Sequence, residues 1–412
     1  MSDKVSGLWS HNVNQSSFSR TIIQPLKFNK KSPKPENDII ADSITSQFPS
    51  KFRKGAVATF NCTGNIRFID DNLKGEKVIN YTDINNTFKT SYCSPHPIRD
   101  PYSGRMINVL SEIGLTFTKF KVIEFDEESS NIIAEINAPI SPIHSFAITE
   151  NYIIIVRIIS FPFILKRRGL SYFTGESILS SFDYNPDGLT TFYRENRHIA
   201  TYTANACYGI NAYETNMTIW IDYSIYDNDN LVRNLTIDNI RNATQLSIPS
   251  SKIIRFSLDL NEVNSTDSNF NPNNTILQAS FAHLSQDISI ELPVINENYI
   301  GRNYKFAYGV GLPFTDATPG KYYDRIKKID VEKEQFITWN EPHCYPSYPI
   351  FVPNPSNTDD EDEGVVLSSI YDGSKDESFL LILNAKDMTE ITRIALPVTV
   401  APSFTSPAYS TN

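Results

Sequence analysis

Cysteine is scarce in this sequence: 412 residues contain four, Cys62, Cys93, Cys207 and Cys344. No two form the Cys-x-x-Cys pair of redox and zinc motifs, and this reads as a reduced, cytoplasmic protein. Glycine is modest at 16 residues, and none of it builds a nucleotide-binding loop. A Gly-x-Ser-x-Gly elbow is also missing, so a serine hydrolase has no anchor. Positive charge is not in surplus. The net charge of -10 predicts no broad nucleic-acid footprint. Long apolar runs are absent as well. The longest, residues 153–165, is interrupted by Arg157 and Pro162, so no segment reads as a membrane span. The start, Met1-Ser-Asp-Lys, has no apolar signal region, and the Asn-x-Thr triplets at Asn216 and Asn234 read as chance.

The chain is instead rich in aromatic residues, with 21 Tyr and 25 Phe, which favour strands. Short apolar or alternating runs recur at 56–60, 106–110, 115–125, 153–159, 189–193, 217–223 and 252–260. They continue at 275–281, 288–292, 304–312, 335–339, 365–370 and 379–383, with turn signals between them. This spacing predicts an all-β sandwich, barrel or propeller. A rough helical stripe at 228–244 (Leu231, Val232, Leu235, Ile237, Ile240) predicts one helical insertion. Residues 1–50, with Lys30-Lys-Ser-Pro-Lys-Pro35, read as a partly ordered arm, leaving 51–412 as the β domain. The acidic knot Thr358-Asp-Asp-Glu-Asp-Glu-Gly364 reads as a solvated hairpin tip.

Two histidines stand in the lead-in to strands. His96 lies in Ser94-Pro-His-Pro-Ile-Arg-Asp-Pro-Tyr-Ser-Gly104, and His144 lies just before the β-branched run at 153–159. Taken alone, His144 is more often a satisfied core histidine than a ligand. Other distinctive blocks follow: Asn211-Ala-Tyr-Glu214, Ile288-Ser-Ile-Glu-Leu-Pro293, Tyr304-Lys-Phe-Ala-Tyr-Gly-Val-Gly-Leu312, Tyr345-Pro-Ser-Tyr-Pro-Ile-Phe-Val-Pro353 and Leu380-Leu-Ile-Leu-Asn-Ala-Lys-Asp387.

In the kind and order of these blocks the chain resembles the carotenoid cleavage oxygenases, the family that includes the retinoid isomerohydrolase of the visual cycle. The resemblance implies a seven-bladed β-propeller with iron(II) on its axis, held by four histidines that three glutamates orient. It implies a dioxygenase that cleaves a carotenoid or apocarotenoid double bond with O2. It places His96 and His144 at the first two ligand positions. The third position falls on Tyr208 and the fourth on Thr405. Of the orienting glutamates, one is retained as Glu291, one is replaced by Tyr348 and one is replaced near Thr63. The family's N-terminal Arg-Asn-Gly-Pro-Gly block is absent, which implies a missing first blade and an incomplete propeller of about six blades, with an early blade's remnant in the arm.

Two imidazoles make a weak iron site. A phenolate favours the oxidised metal and forms only on loss of a proton with a pKa of ~10, and threonine is a poor ligand. His198, His343 or Glu291 would substitute only if the backbone moved. The expectation is therefore a degenerate metal-binding site with weak iron occupancy and little cleavage. A non-catalytic polyene- or lipid-binding propeller and a decaying truncated homologue are the alternatives. The apolar stretch 161–165 beside Lys166, Arg167 and Arg168 predicts either peripheral contact with a membrane surface or, equally, a buried strand end followed by a basic loop.

Overall fold

The computed structural model describes residues 57–60, 65–69, 75–80 and, with breaks, 92–402; the longest breaks fall at 163–181, 235–247, 262–276 and 313–321. Within these residues the regular structure is almost wholly antiparallel strand. Six sheets have three or more strands, and a two-stranded ribbon pairs Ser160–Pro162 with Phe182–Tyr184. Blade 1 is the three-stranded sheet of Val57–Phe60, Asn65–Ile69 and Gly75–Asn80. Blade 2 runs from Tyr92–Cys93 and Ile98–Arg99 out to Ser130–Ala138. Blade 3 runs from Phe146–Ile148 through Arg197–Thr201, and Leu277–Gln278 returns to pair parallel on its edge. Blades 4, 5 and 6 begin at Asn205–Thr215, Glu291–Val294 and Cys344–Pro346. This is the propeller plan, and among the described residues it comprises these six sheets.

In blades 2 to 6 the strand order follows the chain, so the first strand of each sheet lies at one edge. These first strands meet one another: Asn205–Thr215 packs on both Phe146–Ile148 and Glu291–Val294. They therefore line the axis, and the later strands face outward. The burial pattern agrees. Phe146–Ile148 is buried at every residue, whereas the outermost strand of blade 6, Glu390–Ala395, is exposed at every residue.

The core lies between blades. Ile107, Val109, Phe120 and Val122 of blade 2 pack against Phe146, Ile148 and Ile155 of blade 3. Ala147 and Ile154 of blade 3 meet Ile221, Tyr223 and Phe256 of blade 4. Full burial of each such side chain contributes about 1.5–3 kcal/mol, so each blade depends on its neighbours. Polar staples reinforce these interfaces. Glu214 accepts hydrogen bonds from Thr149 Oγ1 (2.5 Å) and the Asn151 amide (3.0 Å). The Tyr304 hydroxyl donates to the fully buried Asp222 carboxylate at 2.6 Å, which also pairs with Arg255.

Gly309 explains part of the aromatic and glycine block. A Cβ there would sit 2.3 Å from Ile290 Cγ1 and 2.5 Å from the Glu291 carbonyl oxygen. The strand Phe306–Gly311 reaches the axial strand only because this side chain is missing.

Two expectations need correction. The acidic knot is not a solvated tip. Glu361 is buried, and its carboxylate accepts from the backbone N–H groups of Lys305 and Phe306. Asp362 pairs with the buried Lys328 at 2.6 Å, and Asp360 and Glu363 both pair with Lys386. The knot pins blade 6 to blade 5 because the backbone of blade 5 offers N–H donors there. His144 also does not lead directly into the apolar run at 153. A short axial strand, Phe146–Ile148, and a hairpin intervene, and Ile153–Val156 pairs back onto that strand.

At 228–244 the described part holds one short helix, Asn230–Asn234, with Leu231 buried. The arm at 1–50, Thr63, Thr405 and the cationic stretch after Pro162 lie outside the described residues. No helix among the described residues is long and apolar enough to cross a membrane.

Candidate functional site

The singled-out residues fall at matching places on successive axial strands. His96 stands just before Ile98–Arg99, and His144 just before Phe146–Ile148. Tyr208 is early in Asn205–Thr215, and Glu291 opens Glu291–Val294. Tyr348 lies between Cys344–Pro346 and Ile350–Pro353. The propeller thus brings residues separated by more than half the chain to one end of its axis.

His96 and His144 point at each other. Their Nε2 atoms are 3.2 Å apart, with ring centroids at 4.8 Å. The Tyr208 ring completes a triangle, 5.7 Å from the His96 ring and 5.1 Å from the His144 ring, edge to face with both. Burial, and then His144 itself, hold the His96 pKa well below its ordinary value. Burial also lowers that of His144 to about 4. Both rings are therefore neutral near pH 7, the state in which imidazole offers a lone pair.

Two serines that the motifs did not single out hold this triangle. Ser94 accepts from the His96 backbone N–H at 3.1 Å and donates to the His144 carbonyl at 2.7 Å. Ser145 accepts from the Gly209 N–H at 3.0 Å, tying the Tyr208 strand to the His144 segment. Their adjacency to the histidines was the available signal; a serine there reads as solvent-facing until the partner strand is known.

Glu291 is 3% exposed, and burial raises its pKa to about 7. Its carboxyl is held by hydroxyl groups, Ser224 and Ser251 among them, which oppose that rise. Tyr348 is buried and donates from its hydroxyl to the Pro293 carbonyl at 2.9 Å. His343 is not brought to this end: it is exposed on a turn, at φ +63°, and its carbonyl accepts from Gly373. His198 lies in the outer part of blade 3, opposite Tyr193, and its side chain is outside the described residues.

The site borders a chamber of about 120 Å³ that includes His96, Tyr208 and Tyr348 in its wall. Beyond it lies a groove of about 710 Å³ lined by Arg99, Asp100, Glu297 and Arg302 among others.

The donors fit an ion only in part. With metal–imidazole bonds of about 2.1 Å, nitrogens 3.2 Å apart would subtend about 100° at a shared ion, an ordinary angle between adjacent ligands. Yet no group of three or more His, Cys, Asp or Glu among the described residues is arranged to hold a metal. The described donors do not match a centre of four imidazoles.

A β-propeller carrying paired axial imidazoles belongs to a narrow class of protein, and the comparisons with known proteins name it. The family model described as retinal pigment epithelial membrane protein matches residues 28–405, and the chain belongs to this family, the carotenoid cleavage oxygenases. It is 26% identical over 428 residues to a mitochondrial carotenoid-cleaving dioxygenase of Macaca fascicularis, covering 88% of this chain and 75% of that protein. It is 29% identical over 280 residues to the β,β-carotene 15,15'-dioxygenase of Gallus gallus, covering 62% of this chain and 51% of that protein. Among solved structures, an apocarotenoid oxygenase of Synechocystis superposes with a TM-score of 0.70 at 20% identity, covering 87% of this chain and 73% of that one.

Proposed function

We propose that this chain is a carotenoid-oxygenase propeller that binds an apocarotenoid or a similar lipid-like polyene, holds iron(II) weakly and cleaves its ligand little or not at all. The observation that carries this reading is the triangle of His96, His144 and Tyr208. Two imidazoles are set for one ion, and a phenol stands where a third is expected. A phenol must shed a proton with a pKa of ~10 before it binds as phenolate, so Tyr208 is a poor donor for a divalent ion. Glu291 supports the same reading, because its carboxyl rests on hydroxyls and leans toward the neutral form. Were iron bound, His96 and His144 would hold it, and it would supply the activation of O2 that double-bond cleavage requires.

The ligand class comes from the relatives, whose names specify carotenoid cleavage. A binding role without catalysis is favoured by Tyr348, a neutral phenol that donates to a backbone carbonyl and brings no carboxylate to orient an imidazole. Peripheral membrane contact through 161–168 fits a lipid-soluble ligand; vesicle flotation of the wild type against a Phe161, Phe163 and Leu165 triple serine variant tests it.

The main test is anaerobic purification with iron(II), followed by metal analysis and an assay of apocarotenoid cleavage with O2 uptake. Substoichiometric iron with saturable apocarotenoid binding is expected. Stoichiometric iron with turnover that His96→Ala abolishes would refute the proposal. A cooperative melt separates a folded binding protein from a decaying homologue.

A further inference from the structure

Most arginines whose side chains are described here are paired. Arg105, Arg255, Arg325 and Arg393 each form an ion pair with an acid. The other two are Arg99 and Arg302, and neither guanidinium has a hydrogen-bonded or ion-paired partner among the described residues. Both border the groove of about 710 Å³. That volume lies within the range of small-molecule sites, about 300–1,000 Å³.

The two arginines come from different blades. Arg99 closes the axial strand Ile98–Arg99 of blade 2. Arg302 lies on the turn that follows Glu291–Val294, the axial strand of blade 5. The groove is therefore formed where these strands end, at the opposite end from the histidines.

Hydrogen bonds fix both turns. The side-chain amide of Asn211 donates to the carbonyls of Tyr299 and Arg302, and its oxygen accepts from the Gly301 N–H. On the blade 2 side, the Asp100 carboxylate accepts from the N–H groups of Tyr102 and Ser103 at 3.0 and 3.1 Å. The Arg302 guanidinium reaches across to blade 2 and rests 5.7 Å from the centre of the Tyr102 ring. That contact holds the cation in place. A ring has no oxygen or nitrogen acceptor, so the N–H donors of the guanidinium remain unspent.

The acids of the groove do not cancel this donor set. Asp100 spends its carboxylate on its own turn. Glu297 opens onto the groove, yet the protein packed around it desolvates its carboxyl and raises its pKa, with Arg99 opposing. Asn298 and Asn303 line the same groove and carry amides. Two guanidiniums thus face a space with no acid engaging them. A guanidinium matches the oxygens of a carboxylate or a phosphate two at a time.

We propose that the groove is a binding site for a small molecule bearing a carboxylate or phosphate group, held between Arg99 of blade 2 and Arg302 of blade 5. The site is separate from the imidazole pair, and its assignment does not depend on iron, cleavage or a polyene.

The experiment titrates the full chain, carrying 15N-labelled arginine, with inorganic phosphate and separately with succinate. Sodium chloride at about 0.15 M screens charges more than about 8 Å apart in solvent, so the shifts report direct contacts. Saturable shifts of the Arg99 and Arg302 Nε–H signals are expected with at least one anion, and the tighter of the two assigns the group. Arg255 and Arg393, already paired, should not move. Arg99→Gln and Arg302→Gln should each weaken binding at least about tenfold. Glu297→Gln should keep or tighten it. The proposal is overturned by the absence of saturable shifts with both anions, by equal shifts at all the arginines, by unchanged affinity in folded Arg99→Gln, or by weaker binding in Glu297→Gln. If Arg99→Gln does not fold, Arg302→Gln, at an exposed side chain, decides by the same criterion.

Discussion

The carboxylate of Glu361 accepts the backbone N–H of Phe306 at 2.7 Å, joining the acidic loop of blade 6 to the first residue of a blade 5 strand. The Lys305 N–H reaches the same carboxylate at 2.8 Å. Hydrogen bonds to a charged acceptor are worth about 1.5–3 kcal/mol, and buried donors left unpaired cost about 1–3 kcal/mol each. Glu361→Ala should therefore destabilise the protein by about 2–4 kcal/mol, and Glu361→Gln by less, because one oxygen remains. Urea denaturation of both variants measures this; a loss under 0.5 kcal/mol, the range of a neutral surface change, for Glu361→Ala would return the knot to the role of a solvated tip.

Asn211 uses all of its amide. It makes two donations and one acceptance, each at about 3.0–3.1 Å, on the turn at 299–302. Gly301 within that turn has φ +76°, which an L side chain adopts only at a cost of about 1–2 kcal/mol. Asn211→Ala should lose about 2–4 kcal/mol. Asn211→Asp should lose more near pH 7, because a carboxylate would then face two carbonyl oxygens. Acidification should recover part of that loss, and thermal melts at pH 4 and pH 7 show whether it does.

Much of this architecture is legible in the chain. Alternating or β-branched runs marked strands such as Met106–Ile113, Thr218–Tyr226 and Lys252–Asp259. Other strands escaped for physical reasons. Arg325–Asp330 carries Lys327 and Lys328, which read as solvated, yet both are buried, with their ammonium groups on Ser289 and Asp362. Asn205–Thr215 is polar because it lines the axis and serves the neighbouring blades rather than an apolar face. Glu390–Ala395 is fully exposed, so nothing selects an apolar face. His96, His144, Tyr208, Glu291 and Tyr348 could be picked out through the family's motifs. Ser94, Ser145 and Asn211 act on segments distant in the chain, and only the folded propeller shows what they hold.

Glu291 gives the protein a pH dependence of known sign. Its folded pKa of about 7 lies above the ordinary 4.5, so the unfolded chain releases this proton first as pH rises. Its effect on stability is absent below about pH 4.5, grows as a loss between about pH 4.5 and 7, and is constant above. The full span is on the order of 3 kcal/mol. Glu291→Gln removes it. The variant and the wild type should differ least near pH 4, and the variant should gain relative to the wild type up to about pH 7. Burial of neutral His144 acts in the opposite sense, costing stability as pH falls from about 6.5 toward 4. That contribution is common to both proteins and cancels in the comparison. Urea melts from pH 4 to 8 that show a constant difference would mean that Glu291 ionises normally.

Restoring imidazoles is the most direct trial of the axial site. His96 and His144 already hold their nitrogens 3.2 Å apart, and Ser94 and Ser145 fix the segments that carry them and Tyr208. Tyr208→His would place a third neutral donor at this triangle, on a strand whose backbone is already anchored. Removing a partner that merely orients a ligand costs about 10–100-fold in metal affinity or activity, and a direct ligand should matter more. Tyr208→His should thus tighten iron(II) binding by at least tenfold, and pairing it with Thr405→His should raise occupancy further. Competition against a calibrated chelator under anaerobic conditions measures the affinities. A His96→Ala change added to Tyr208→His should abolish the gain, because the new imidazole would then share the ion with one partner. Unchanged iron affinity in folded Tyr208→His would mean that the triangle does not converge on a metal position.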